Sequence, residues 1–246
     1  QSAAVFGGMY YSPEHAFLAE GGQSAEYRAA MEETFPYLEE TRAEAETIAK
    51  DMTGGGIDIK RYVAENATEP NFYALDGQST DIIHLATHGF YIDEKDVAAN
   101  AFLANHPGDR YSSMQRTGLT FDGANATWLG QKKPDREDGI LTAAELSTLD
   151  LGRAQLVTLS ACETALGDYS TEGVYGLQRG FKEAGARTLI LSLWNVSDRA
   201  TSLFMQDFYS RWLAGASKHD AFTQAVAQLR ATHPDPFFWA AFVMLD

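Results

Sequence analysis

Leu156-Val157-Thr158-Leu159-Ser160-Ala161-Cys162-Glu163-Thr164 is an apolar run that ends in the only cysteine of the chain. Val157 and Leu159 alternate with Leu156, Thr158 and Ser160, so an extended segment here would be partly buried on both faces, as in a central strand of a parallel sheet. Small Ala161 leads out of the run, and Cys162 falls at its carboxyl end, the edge where open α/β sheets gather ligands and reacting groups. A second segment has the same design: Asp81-Ile82-Ile83-His84-Leu85-Ala86-Thr87-His88-Gly89, a strand that delivers a histidine followed by a glycine. A cysteine and a histidine at two such strand ends are the minimum equipment for thiolate chemistry. Each alone has a plainer reading, the cysteine as a small buried core residue and the histidine as a structural one; it is the pair that favours a nucleophile.

Outward from these two strands the pattern alternates strand and helix. Ala3 to Gly8 reads as a short buried strand stopped by a glycine pair, and Ile57 to Val63 as a second. Pro36 to Lys50 is expected to be helical, with Pro36 in the first turn, Leu38, Arg42, Ala45, Ile48 and Ala49 at helical spacing, and Glu39, Glu40, Glu44 and Glu46 as a solvated acidic face. Gly54-Gly55-Gly56 follows a helix and precedes no Gly-Lys-Ser/Thr, which rules out a phosphate loop. Thr68 caps a short helix with Glu69-Pro70 in its first turn, and Thr142 caps another with Glu145 three residues on. Gly173 to Ala184 is a helix with Val174, Leu177 and Phe181 inward. Thr188 to Trp194 is a strand. Asp198 to Leu213 is an amphipathic helix with Leu203, Phe204, Phe208 and Trp212 on one side, and Ser217 to Arg230 is another with Ala221, Phe222, Ala225 and Leu229. Phe237 to Leu245 reads as the last strand. Residues 92–138 change character, with Asn, Asp, Gly and Ser throughout and short strands expected at Leu119 to Phe121 and Ala126 to Leu129. A connection that long implies an insertion over one edge of the sheet, near the active face. The expected architecture is one α/β domain over residues 1–246, a mostly parallel sheet with helices on both faces, carrying an insertion at 92–138.

The bulk properties narrow the function. At 246 residues the chain can bury a sizeable core. A net charge of −15 argues against a nucleic-acid surface, which needs clustered Lys and Arg. One cysteine cannot make an internal disulfide, which fits a reducing, cytoplasmic compartment. No apolar stretch approaches the roughly 20 residues that span a bilayer, and no signal peptide is visible. Beginning with Gln, the chain reads as an excised domain or a processed fragment of a longer protein.

Five ordered stretches resemble one family. His84-Leu85-Ala86-Thr87-His88-Gly89-Phe90, Leu159-Ser160-Ala161-Cys162-Glu163-Thr164-Ala165-Leu166-Gly167, Ala184-Gly185-Ala186-Arg187, Leu193-Trp194-Asn195-Val196-Ser197-Asp198 and Phe238-Trp239-Ala240-Ala241-Phe242 look like the signatures of CHAT domains. These are caspase- and separase-like cysteine peptidases commonly found after tetratricopeptide repeats. The resemblance covers Phe35 to Asp246 apart from 92–138. It implies a caspase–hemoglobinase-like three-layer sandwich and a His88–Cys162 dyad, with Gly89 and the Cys162 N–H as oxyanion hole. It also implies endopeptidase action through a thioester acyl-enzyme and no metal or organic cofactor. The separation of His88 and Cys162 exceeds the roughly 50 residues of caspases, and the insertion accounts for the excess.

The substrate pocket is less defined. In separase-like relatives an acidic residue after the next strand receives a basic P1 side chain, and Asp198 fits that role, although the reading favoured for it is the N-cap of the helix it precedes. Asn195 departs from the acid often found at its place, and Glu163 could orient groups near the nucleophile or form a structural bridge. His84 reads as a strand residue with a backbone partner, and His15, His106, His219 and His233 as loop or helix-end residues without one. The expected function is a regulated cysteine endopeptidase in bacterial defence or programmed-death signalling. Its expected partners are a protein substrate and an upstream repeat or sensor module or an activating partner, with no direct nucleic acid and no membrane. The alternatives are a non-catalytic caspase-like interaction module, or an acyltransferase or transpeptidase using the same dyad.

Overall fold

The computed structural model describes residues 1–15, 34–106, 109–132, 137–163, 171–194 and 196–246, with 162–163 and 171–175 in backbone only. Its strands are β1 (Ser2–Gly7), β2 (Asp58–Val63), β3 (Ile82–Tyr91), β4 (Thr117–Thr120), β5 (Ile140–Thr142), β6 (Leu156–Glu163), β7 (Leu189–Ser192) and β8 (Phe242–Leu245). Its helices are α1 (Glu39–Gly54), α2 (Glu69–Tyr73), α3 (Ala101–Asn105), α4 (Ala124–Trp128), α5 (Ala143–Leu146), α6 (Thr171–Glu183), α7 (Asp198–Leu213), α8 (Lys218–Thr232) and α9 (Pro236–Trp239). The strands form one sheet in the order β2-β1-β3-β6-β7-β8, with β4 on β3 and β5 on β4. The β2, β1, β3, β6 and β7 ladders are parallel, while β8, β4 and β5 pair antiparallel. The expected class, a mostly parallel α/β sheet with helices on both faces, is the one observed.

The apolar runs sit centrally because their residues alternate between two cores. On one face Ala3, Val5, Ile82, Leu156 and Ile190 pack with Ala45 and Ile48 of α1, Phe204 and Phe208 of α7 and Leu229 of α8. On the other, Phe6, Ile83, Leu85, Val157 and Leu159 pack with Phe72, Leu146 and Phe181. The polar strand β2, exposed at several positions, occupies the edge. The glycine that closes β1 has a packing role: a Cβ on Gly7 would lie 2.6 Å from the Thr41 carbonyl oxygen, so only glycine lets α1 settle on the strand end. The Gly8 N–H then donates to Thr41 Oγ1 at 3.2 Å.

Several local expectations are corrected. α1 begins at Glu39 with Leu38 as N-cap, so Pro36 lies ahead of the helix in the segment leading into it. Glu44 is buried, not part of a solvated face. Ala126 to Leu129 is helical rather than a strand, because Gly123 in the left-handed region turns the chain into α4. The final apolar run splits: Asp235 caps the short α9, and only Phe242–Leu245 is strand. Leu203 lies 45% exposed while Phe204, Phe208 and Tyr209 face inward, so the buried stripe of α7 is rotated by one residue from the expected one. Thr68 and Thr142 cap their helices as expected, the latter in a full capping box with Glu145. The described part of 92–138 does not merely lie over an edge. Its β4 extends β3 at Gly89–Tyr91, and Val97, Phe102, Leu119, Phe121 and Trp128 belong to the same core as the central strands.

Candidate active site

In the parallel ladder between β3 and β6, His88 is the partner of Cys162 and Gly89 the partner of Glu163. Directly paired residues of a parallel ladder share a sheet face about 4.8 Å apart, so the backbone sets the two expected dyad positions side by side at the carboxyl edge. Ser192, closing β7, donates from Oγ to the Ala161 carbonyl at 3.4 Å and ties the next strand to the residue before Cys162. Gly89 also stands opposite Leu119 of β4, so the expected oxyanion-hole residue lies where two ladders meet.

His88 is 1% exposed. Its Nε2 lies 2.7 Å from the Pro36 carbonyl oxygen. A carbonyl only accepts, so Nε2 carries the proton and Nδ1 is the basic nitrogen. The Tyr11 and Phe35 rings flank the imidazole at centroid distances of 4.9 and 5.5 Å. The Tyr11 hydroxyl donates to Thr87 Oγ1 at 3.0 Å, while Thr87 passes its own proton to the Thr120 carbonyl at 2.6 Å. Burial lowers the His88 pKa to about 4; the bond to Pro36 works against that shift and nearby His15 adds to it. At neutral pH the imidazole is therefore uncharged, the form that can take a proton from a thiol.

Pro36, Tyr11, Phe35 and His15 are the contributions that the sequence did not reveal. The one signal available was Phe35-Pro36 just ahead of a helix: proline holds the preceding residue extended and keeps a carbonyl that no helix claims. His15, expected to be a loop residue without a partner, is buried beside Tyr11 at a ring distance of 5.8 Å, and burial lowers its pKa to about 4. His106 and His219 likewise have acidic neighbours, Glu145 at 4.0 Å and Asp246 at 3.5 Å.

His84 is tied through its side chain rather than its backbone. Its Nδ1 lies 2.7 Å from Thr158 Oγ1, which lies 2.7 Å from the Tyr209 hydroxyl, and its Nε2 is 3.1 Å from Glu44 Oε1, with no aligned hydrogen bond between them. This buried chain fastens α1 and α7 to β3 and β6.

Asp198 does not cap α7. Ser197 does, accepting the Ala200 N–H at 3.3 Å, and Asp198 is the first helical residue. It is half-buried, and its pKa is raised to about 6, first by burial and then by the charges of Glu44 and Glu40. α7 follows the carboxyl end of β7, which runs parallel to β6 and β3, so Asp198 in its first turn starts from the same edge of the sheet as His88. Asn195 lies outside the described residues, and Cys162 and Glu163 are placed through their backbones alone. Among the described residues no group of three or more His, Cys, Asp or Glu is placed to hold a metal ion, and no helix is long and apolar enough to cross a membrane.

Residues 12–246 match the CHAT domain. Tetratricopeptide repeat protein 28 of Mus musculus is 33% identical over 114 residues, 46% of this chain and 5% of that protein. The Homo sapiens protein of the same name is 32% identical over the same length and shares. The match thus spans a small part of these relatives. Among solved structures, protein GSU0716 from Geobacter sulfurreducens superposes over 99% of this chain and 91% of its own, with a TM-score of 0.46 and 15% identity.

Proposed function

The chain belongs to the CHAT-domain family, and on that premise we propose that it is a cysteine endopeptidase whose Cys162 thiol attacks a peptide carbonyl while His88 moves the proton. The reading rests chiefly on the register that pairs His88 with Cys162 at the carboxyl edge of adjacent strands. In the first step the thiol proton passes to His88 Nδ1 as the carbon–sulfur bond forms. The imidazolium that results is stabilised by the Pro36 carbonyl facing Nε2. The backbone N–H groups of Gly89 and Cys162 hold the oxyanion. Collapse of the tetrahedral intermediate breaks the carbon–nitrogen bond, and His88 returns its proton to the leaving amine. Water, deprotonated by the same nitrogen, then hydrolyses the thioester.

The remaining assignments follow from this one. Residues 1–246 act as a single peptidase domain of a longer protein. An upstream repeat module or activating partner controls it, a proposal supported by relatives whose name records tetratricopeptide repeats. The target is a protein in a defence or programmed-death setting of the cytoplasm. Asp198 is the proposed receiver of a basic P1 side chain, a reading supported by Ser197 rather than Asp198 capping α7. Glu163 and Asn195 are proposed as further substrate-binding residues on the family resemblance alone.

Cleavage-terminus mapping of a proteome with wild type and Cys162→Ala, in the presence of the activator, tests the reaction. New termini that depend on Cys162 and carry the mass of added water are expected. Ligated products would make the domain an acyltransferase. Termini unaffected by Cys162→Ala would leave a non-catalytic module.

A further inference from the structure

Asn125, on α4, is 3% exposed and contacts both chain segments that flank His88. Its Oδ1 accepts the Phe35 N–H at 2.8 Å, and its Nδ2 donates to the Phe35 carbonyl at 3.0 Å and to Ser12 Oγ at 2.7 Å. Its own backbone N–H donates to the Tyr11 carbonyl at 3.0 Å. The side-chain amide thus meets both polar groups of Phe35 as a facing strand would, and its orientation is settled because an N–H must be accepted and a carbonyl donated to.

Phe35 is the residue before Pro36, and that position gives the contact leverage. The Phe35 carbonyl and the Pro36 nitrogen share one rigid peptide plane. Proline fixes its own φ near about −65° and keeps Phe35 extended. With the Phe35 N–H and carbonyl both held, the direction of the Pro36 carbonyl depends on a single soft torsion. That carbonyl is the one 2.7 Å from His88 Nε2. The other segment held by Asn125 carries Tyr11, whose ring centroid lies 4.9 Å from that of His88 and 6.4 Å from that of Phe35.

We propose that Asn125 is a positioning residue for His88: by clamping the Phe35–Pro36 peptide and the Tyr11–Ser12 segment, it fixes the tautomer and the ring orientation of the dyad histidine. The catalytic meaning of this proposal rests on the peptidase reading. It gives the 92–138 stretch a specific task in the site. Thr127, two residues along the same helix and fully buried, directs its hydroxyl elsewhere, to the Asp138 carbonyl at 2.8 Å.

The test is 15N NMR of the chain labelled at histidine, with His88 assigned by the signal lost in His88→Gln. Wild type is expected to show one His88 tautomer, protonated at Nε2. Asn125→Ala removes every side-chain bond, and Asn125→Asp keeps the acceptor for the Phe35 N–H while losing both donors. Both variants are expected to show the two tautomers in exchange and a kcat lower by up to about 100-fold with KM little changed. Thr127→Val, matched for the loss of a buried hydrogen bond, is expected to keep the wild-type His88 signals. The proposal is overturned if both Asn125 variants retain the single tautomer, or if Thr127→Val disturbs His88 as much. The spectrum needs no substrate, so it decides on Asn125 even where Cys162→Ala leaves cleavage unchanged and the peptidase reading fails.

Discussion

A pH sweep of Cys162 alkylation tests whether the quiescent dyad is neutral or an ion pair. Burial holds the His88 pKa at about 4, whereas an ordinary thiol titrates near ~8.5. Transferring the thiol proton to His88 therefore runs uphill by roughly 4.5 pK units, about 6 kcal/mol, and the resting pair is a thiol beside a neutral imidazole. The measurement is the second-order rate with iodoacetamide, an uncharged reagent that reports thiolate, between pH 5 and 9. The rate is expected to climb about tenfold per pH unit and to level off only near ~8.5. On the proposed peptidase reading, peptide cleavage depends on a different ionisation. It needs His88 unprotonated, so kcat/KM is retained above pH 4 and lost as pH falls through about 4. Because the thiol proton moves in the step that forms the carbon–sulfur bond, rates in D2O should fall. An alkylation rate flat from pH 5 to 8 would refute the reasoning, since it requires a standing thiolate–imidazolium pair and a His88 pKa above that of the thiol.

Three further outcomes are expected. For Asp198 the sign runs with ionisation: its carboxyl, raised to about 6, is charged above that pH, so the kcat/KM ratio of Arg-P1 over Ala-P1 peptides should rise with pH through about 6. The ratio should be flat in Asp198→Asn, and a flat wild-type ratio would remove Asp198 from the pocket. Glu44→Ala strips the carboxylate from His84 at a site where both side chains are at most 1% exposed. Leaving the buried His84 Nε2 without its polar neighbour costs about 1–3 kcal/mol by urea unfolding, with Glu44→Gln milder, and an unchanged midpoint would show that the contact carries little. Gly7→Ala drives a methyl to within 2.6 Å of the Thr41 carbonyl and 2.7 Å of Ala45 Cβ. A loss of about 1–3 kcal/mol should follow in the same assay, and an unchanged midpoint would mean that α1 can retreat from β1 freely.

What the sequence made legible was whatever a short window encodes. The runs around Val157 and Ile83 declare central strands because both of their faces are apolar. Parallel pairing then brings the polar ends of two such strands together, which is why His88 and Cys162 could be named from the chain alone and are found in register. What stayed hidden is carried by groups that have no periodic pattern. Asp198 and Ser197 are both good caps, and only the backbone at the start of α7 decides between them. Glu44 sits in an acidic run that looks solvated, yet the turn of α1 directs it onto His84. The Pro36 carbonyl is a backbone atom whose importance comes from its distance to His88, and no residue type announces it. Asn125 is hidden for the same reason, being one amide in a stretch rich in Asn, Asp and Gly. The division has a physical basis: a nucleophile and its base must be particular side chains, whereas the groups that orient them need only a donor or acceptor in the right place, and main-chain carbonyls and amide side chains occur everywhere. Substitutions around this dyad should accordingly separate into two kinds: those at Cys162 and His88 that abolish bond-making, and those at the residues holding Pro36 that leave the chemistry possible but slower.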